Sequence, residues 1–190
     1  MKLSGILSAL AVVVTLMAST SCSDKKFDVS GNITDAKDSL LYFENMSLNG
    51  AVVVDSVRLD EDGSFDFSVN APEAPEFYRL RIANQIINIA ADSIGEVAVK
   101  ASYPTMATDY EVTGSDDCSK IKELAIRQMA LQANINGIIA NRTLDADHVR
   151  DSIRTVLAVY KEQVKNDYIV KEPMRAYSYF ALCQTVALGY

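Results

Sequence analysis

The spacing of apolar residues changes once along the chain, and this change constrains the fold more than any other feature. From Phe27 to about Thr113 apolar residues recur with a period near two, broken every 8 to 12 positions by turn residues. Antiparallel strands require this pattern, because successive side chains point to opposite faces. Strands are expected near 27–34, 39–46, 51–59, 64–70, 77–83, 86–91, 96–101 and 109–113. Asn49-Gly50 suits a tight hairpin turn, and Asp60-Glu61-Asp62-Gly63 reads as a second hairpin turn, joining Val52–Arg58 to Phe65–Val69. Pro72 and Pro75 mark a loop, since neither can donate to a ladder. About eight short strands with no helix between them make a sandwich or barrel the economical solution.

After Gly114 the spacing lengthens to three and four. Ile121, Leu124, Gln128, Leu131, Ile135 and Ile138 form one stripe of a helix that Ser115 or Asp116 can cap. A second helix is expected from about Asp145, with Val149, Ile153, Val156, Tyr160 and Val164 inward, ending before Pro173. The two helices should form a hairpin across Asn141-Arg142-Thr143. A third begins at Met174 and carries Tyr177, Phe180, Ala181, Gln184, Ala187 and Leu188, a face that needs the hairpin, another chain or a further domain to cover it. The fold expected is therefore α+β: an antiparallel β domain over 27–114, then a helical region over 115–190 that reads as truncated, or as a short form of a longer architecture.

The extreme N-terminus carries an address. Lys2 precedes an apolar run from Ile6 to Met17, followed by Ala18-Ser19-Thr20-Ser21-Cys22. A run of about 12 apolar residues is too short to span a bilayer of ~30 Å, and it fits an export signal. Small residues leading into Cys22 resemble a bacterial lipobox, which implies cleavage after residue 21, acylation of Cys22 and a short tether over 22–26. The expected location is the cell envelope, with the protein held on a membrane by its lipid, on the periplasmic face or at the outer membrane.

Charge and rare residues bound the chemistry. The 190 residues carry 18 Lys+Arg against 25 Asp+Glu, a formal charge of −7, with no basic cluster. A nucleic-acid partner is disfavoured, because phosphates need a Lys/Arg face. Three cysteines, Cys22, Cys118 and Cys183, and one histidine, His148, provide neither zinc-ligand spacing nor a CxxC pair. No cofactor, metal or catalytic residue is expected.

The strand Val53-Val54-Asp55-Ser56-Val57, followed by Asp62-Gly63-Ser64-Phe65-Asp66-Phe67 and then a helical hairpin, is a recognisable order. With the lipobox, it resembles the domain of unknown function found at the N-terminus of thioredoxin-like lipoproteins of Bacteroidota. The segment Pro173-Met174-Arg175-Ala176-Tyr177-Ser178-Tyr179-Phe180-Ala181-Leu182 is similar to the helices that lead into their thiol:disulfide oxidoreductase domain. The resemblance implies a non-catalytic accessory half, since the CxxC domain is absent from this sequence. The alternative is a free-standing sandwich that recognises a glycan, a peptide or an envelope partner.

Several residues carry two readings each. Cys118, in the first turn of a helix, could be a reactive thiol, although Asp116 and Asp117 oppose a thiolate there; a structural thiol is the other reading. A Cys118–Cys183 bridge depends on a distance that spacing does not supply. Asp60–Gly63 is either a loose calcium loop or a turn; the EF-hand pattern fails because Arg58 and Val69 would occupy ligand positions. His148 reads as a solvated helix residue, and the nine Tyr and six Phe as core packing rather than a ligand platform.

Overall fold

A computed structural model describes residues 25–47 and 49–188. The expected signal segment 1–21, Cys22 and the start of the expected tether lie outside the described residues. Eight strands are formed: β1 Lys26–Thr34, β2 Leu40–Ser47, β3 Gly50–Arg58, β4 Ser64–Asn70, β5 Glu76–Ile82, β6 Gln85–Ala91, β7 Gly95–Ser102 and β8 Tyr110–Thr113. They make two four-stranded sheets, ordered β4-β1-β7-β8 and β3-β2-β5-β6. Three helices follow, α1 Asp116–Ala140, α2 Ala146–Val164 and α3 Ala176–Ala187. The fold is α+β, a sandwich followed by helices.

Phe27, Val29 and Ile33 from one sheet and Leu41, Phe43, Leu80, Ile87 and Ile89 from the other meet between the layers. Each such side chain contributes about 1.5–3 kcal/mol when fully buried. Phe43 bridges the sheets, stacking on Phe67 at 5.2 Å and on Tyr78 of its own sheet at 4.9 Å.

Two strand relationships differ from the expectation. The pairing of β1 with β7 is parallel, with Phe27 opposite Gly95 and Gly31 opposite Val99. Alternation reports which face a residue takes, not the direction of its neighbour. The Asp60–Gly63 turn is not a hairpin turn, because β3 pairs with β2 while β4 pairs with β1. It is an arch that carries the chain from one sheet to the other. Its acids serve the turn: Asp60 Oδ1 accepts the N–H groups of Asp62 and Gly63, each at 3.2 Å, and Asp62 Oδ1 accepts that of Ser64 at 2.7 Å. Gly63 sits at φ +70°, where a β carbon would stand 2.0 Å from the Ile33 carbonyl oxygen.

All turns between strands at one end of the sandwich fall near Lys25: the 47–50 hairpin, the 71–75 loop and the 92–94 loop. The first turn of α1 begins at this end too, since Gly114 abuts Glu96. From there α1 runs toward the opposite end, passing Tyr110, whose carbonyl accepts from Lys122 Nζ. Its 25 residues extend about 37 Å, beyond the roughly 26 Å of an eight-residue strand. The last turns of α1 and the first of α2 therefore project past the sandwich.

Ser115, not Asp116, caps α1, accepting the N–H of Cys118 at 3.2 Å, and Asp145 caps α2 through the N–H of His148 at 2.9 Å. The α1 stripe is as expected, with Ile121, Leu124 and Leu131 buried and Gln128, Ile135 and Ile138 half-buried toward the projecting end. A π-helical turn over Lys165–Ile169 continues α2, and the chain leaves it before Pro173. Helix α3 starts at Ala176 rather than Met174; Arg175 takes the extended cap position.

Candidate functional site

The seating of α3 begins with Asp117 in the first turn of α1. Its carboxylate is buried and accepts the Tyr177 N–H at 3.0 Å and the Arg175 guanidinium at 2.9 Å. A residue 60 positions upstream thus satisfies an otherwise orphaned N–H at the start of α3. Ser178 Oγ, 2.7 Å from the carbonyls of Tyr168 and Glu172, ties the same turn to the π-helical segment. No sequence pattern marks Asp117 or Arg175 for this role.

So placed, α3 lies over the outer face of the β3-β2-β5-β6 sheet. Tyr177 and Ala181 are buried, Phe180 meets Phe77 at 5.7 Å, and Gln184 donates to Gln128 of α1 at 2.9 Å. The face that the sequence singles out is thus largely covered within the chain; Ala187 alone of that row is exposed. A second row, Tyr179, Leu182, Cys183 and Val186, faces outward at i, i+3, i+4, i+7 spacing. Between it and the sheet lies a groove of about 550 Å³, walled by Phe180 and Cys183 and floored by Met46, Phe77 and Asn88. This groove and its flanking helical row form the candidate interaction site.

Both described thiols are free. Cys183 is exposed beside the groove. Cys118 is fully buried against the free edge of β6, where its Sγ lies 3.4 Å from both the N–H and the carbonyl oxygen of Ala90. It accepts from one and donates to the other, closing a sheet edge that would otherwise leave a buried peptide group unpaired. Burial pushes the Cys118 thiol up from its usual value, the reverse of what a nucleophile needs. The structure therefore assigns Cys118 to the edge of β6. In a chain beginning at Ser23, a thiol reagent should titrate Cys183 alone under native conditions and Cys118 only on denaturation; rapid native modification of both would refute this assignment.

Glu44 lies on the outer face of the same sheet yet is only 3% exposed, because Arg79 and Arg81 fold over it. Arg79 Nε contacts it at 2.5 Å and Arg81 Nη2 at 2.7 Å, and Arg81 also stacks on Tyr42 at 4.5 Å. The Arg81 hydrogen bond, reinforced by Arg79, holds the Glu44 carboxyl below the ordinary range despite its burial. A depressed folded-state pKa adds stability that is present above the unfolded value near 4.3 and is lost as pH falls through the folded value. Unfolding free energy should therefore fall with pH below about 4.5, and Glu44→Gln should flatten that acid limb while lowering stability at pH 7 by roughly 2 kcal/mol. An unchanged acid limb in the variant would show that the clamp contributes nothing.

A second groove, of about 580 Å³, opens between α1 and α2, lined by Arg127, Asn134, Val159, Tyr160 and Asp167. His148 is exposed at the start of α2, its ring 2.8 Å from Asp145. Among the described residues no cluster of three His, Cys, Asp or Glu side chains could hold a metal ion. No helix there is long and apolar enough to cross a membrane.

Residues 27–120 match the family model of a domain of unknown function, DUF4369. The matched segment runs past the last strand to Lys120, and so includes Asp117, which seats α3, and Cys118, which closes β6. No curated protein matches the chain. Among solved structures, (S)-allantoin synthase is similar at 11% identity over 50% of this chain and 45% of its own, with a TM-score of 0.35. The N-terminal domain of AlgF from P. aeruginosa is similar at 13% identity over 48% of this chain and 94% of its own, with a TM-score of 0.32. The chain thus spans less than half of the allantoin synthase chain it resembles.

Proposed function

We propose that this is a non-catalytic, lipid-anchored envelope protein whose DUF4369 sandwich and α3 present a docking site for a thioredoxin-like thiol:disulfide oxidoreductase domain. The observation that carries the reading is the outward row of α3, Tyr179, Leu182 and Val186, beside an apolar groove on the sheet. Contiguous exposed apolar surface of this kind marks an interaction site. The lipobox resemblance at Cys22 supports the anchor, and the chain's resemblance to the N-terminal half of thioredoxin-like lipoproteins supports the class of partner. In this reading the sandwich holds and orients, and the dithiol chemistry belongs to the partner. Cys118 and Cys183 do not form the close attacking and resolving pair that disulfide exchange uses, one being buried at β6 and the other exposed on α3.

The test mixes a chain beginning at Ser23 with the thioredoxin-like domain of a relative and follows sedimentation. Association that Leu182→Asp and Val186→Asp abolish, with unchanged thermal stability, is the expected result. Absence of association, or association indifferent to both substitutions, would reject the docking site. The anchor is tested separately: Cys22→Ala should move the protein out of the membrane fraction, and a wild-type intact mass without lipid would reject it.

A further inference from the structure

The anchor and the fold together set an orientation. Only three residue steps separate Cys22 from Lys25, a span of at most about 11 Å. Lys25 is held at the end of the sandwich, where its carbonyl accepts the N–H of Ala71 at 2.8 Å. Lys26 pairs with Asn70 on one side of β1, and Phe27 pairs with Gly95 on the other. The 71–75 and 92–94 loops therefore flank the tether one strand spacing away, about 4.8 Å on each side. An acylated Cys22 leaves this end of the sandwich no room to stand clear of the headgroups.

The same end carries exposed apolar side chains that no other described residue covers. Ile94 is 60% exposed in the 92–94 loop, and Met174 is 78% exposed next to the Arg175 that holds Asp117. Its charges favour one kind of surface. Glu73, Glu76, Asp92 and Asp116 outnumber Lys25 and Lys26, so an anionic surface is repelled and a zwitterionic one is not. We propose that this end is a membrane-apposed face that rests on zwitterionic lipid, with Ile94 dipping into the interface. The projecting tip of the α1–α2 hairpin then points away from the membrane. The inference rests on the proposed acylation of Cys22.

The experiment uses the full chain, expressed in a lipoprotein-processing bacterium, carrying Cys183→Ser, and reconstituted into phosphatidylcholine vesicles. Ile94→Cys, Glu73→Cys and Arg142→Cys each receive a fluorophore, and headgroup-labelled nitroxide lipid is the quencher. The labels at 94 and 73 should lose roughly half or more of their emission, as expected for groups within ~5–10 Å of the interface, while the label at 142 should be unaffected. Vesicles containing phosphatidylglycerol should show less quenching at 94, restored by salt. Intact mass and flotation separate the two layers of the argument. Acylated, floating protein with equal quenching at 94 and 142, or none at 94, overturns the membrane-apposed face and leaves the anchor standing. Protein without lipid that does not float overturns both.

Discussion

Replacing Gly31 with Ala should cost about 4 kcal/mol or more and prevent a chain beginning at Ser23 from folding stably. Gly31 lies in β1 between Phe65 of β4 and Val99 of β7. A β carbon built there stands 1.9 Å from the Val99 carbonyl oxygen and 2.8 Å from its carbonyl carbon. The obstacle is backbone, so no rotamer change relieves it. β1 is an inner strand, paired with β4 on one side and β7 on the other, so it cannot move away from β7 without also straining its ladder to β4. Gly137 provides the control. Nothing lies within 4 Å of its would-be β carbon, and it sits inside α1. Gly137→Ala should therefore raise stability by about 0.5–1 kcal/mol through reduced chain entropy in the unfolded state. Urea midpoints of the two variants make the comparison. A Gly31→Ala protein within about 1 kcal/mol of wild type would mean that the β1–β7 approach is looser than described.

The period of the apolar residues carried most of this architecture in readable form. Phe65 and Phe67, or Leu80 and Ile82, alternate with polar neighbours and are buried as alternation requires. Ile121, Leu124 and Leu131 likewise recur at helical steps. What stayed hidden depends on pairing between distant segments. Val52, Val53 and Val54 fall in an expected strand, but that strand, β3, is at the sheet edge and all three are exposed. Period alone does not say how many neighbours a strand has. The parallel partner of β1 is equally unmarked, because nothing near residue 31 names residue 99. Only the clash at Gly31 records their contact, and that appears once both strands are in place.

The candidate site divides along the same line. The aromatic and apolar spacing of 177–188 was legible, and so was its need for cover. The provider of that cover was not, because Phe77 and Gln128 lie on elements remote in sequence. With the inner face taken by the chain itself, the outward row and the groove beside it became the feature to explain. Asp117 disfavours a thiolate at Cys118, as the sequence indicates. In the fold its charge is drawn to Arg175 and to the start of α3.

Asp117→Ala should therefore release α3, and with it the groove. The substitution leaves the Tyr177 N–H buried without an acceptor and the Arg175 guanidinium without its ion-pair partner, which together cost about 3–4 kcal/mol. The loss should be local. Asp117 holds α3 and contributes nothing to the strand ladders, so hydrogen exchange should quicken across Ala176–Ala187 while amides of β1 and β5 remain protected. Asp117→Asn separates the two contributions. An amide oxygen still accepts from Tyr177 but carries no charge for Arg175, so this variant should lose roughly half as much. Released α3 can no longer wall the groove with Phe180 and Cys183, so Asp117→Ala should also abolish association with a thioredoxin-like domain, even though Leu182 and Val186 are unchanged. Equal exchange across α3 in wild type and Asp117→Ala would show that Phe180 and Ala181 packing alone seats the helix. Retained association in a variant whose α3 exchanges freely would place the docking surface elsewhere on the chain.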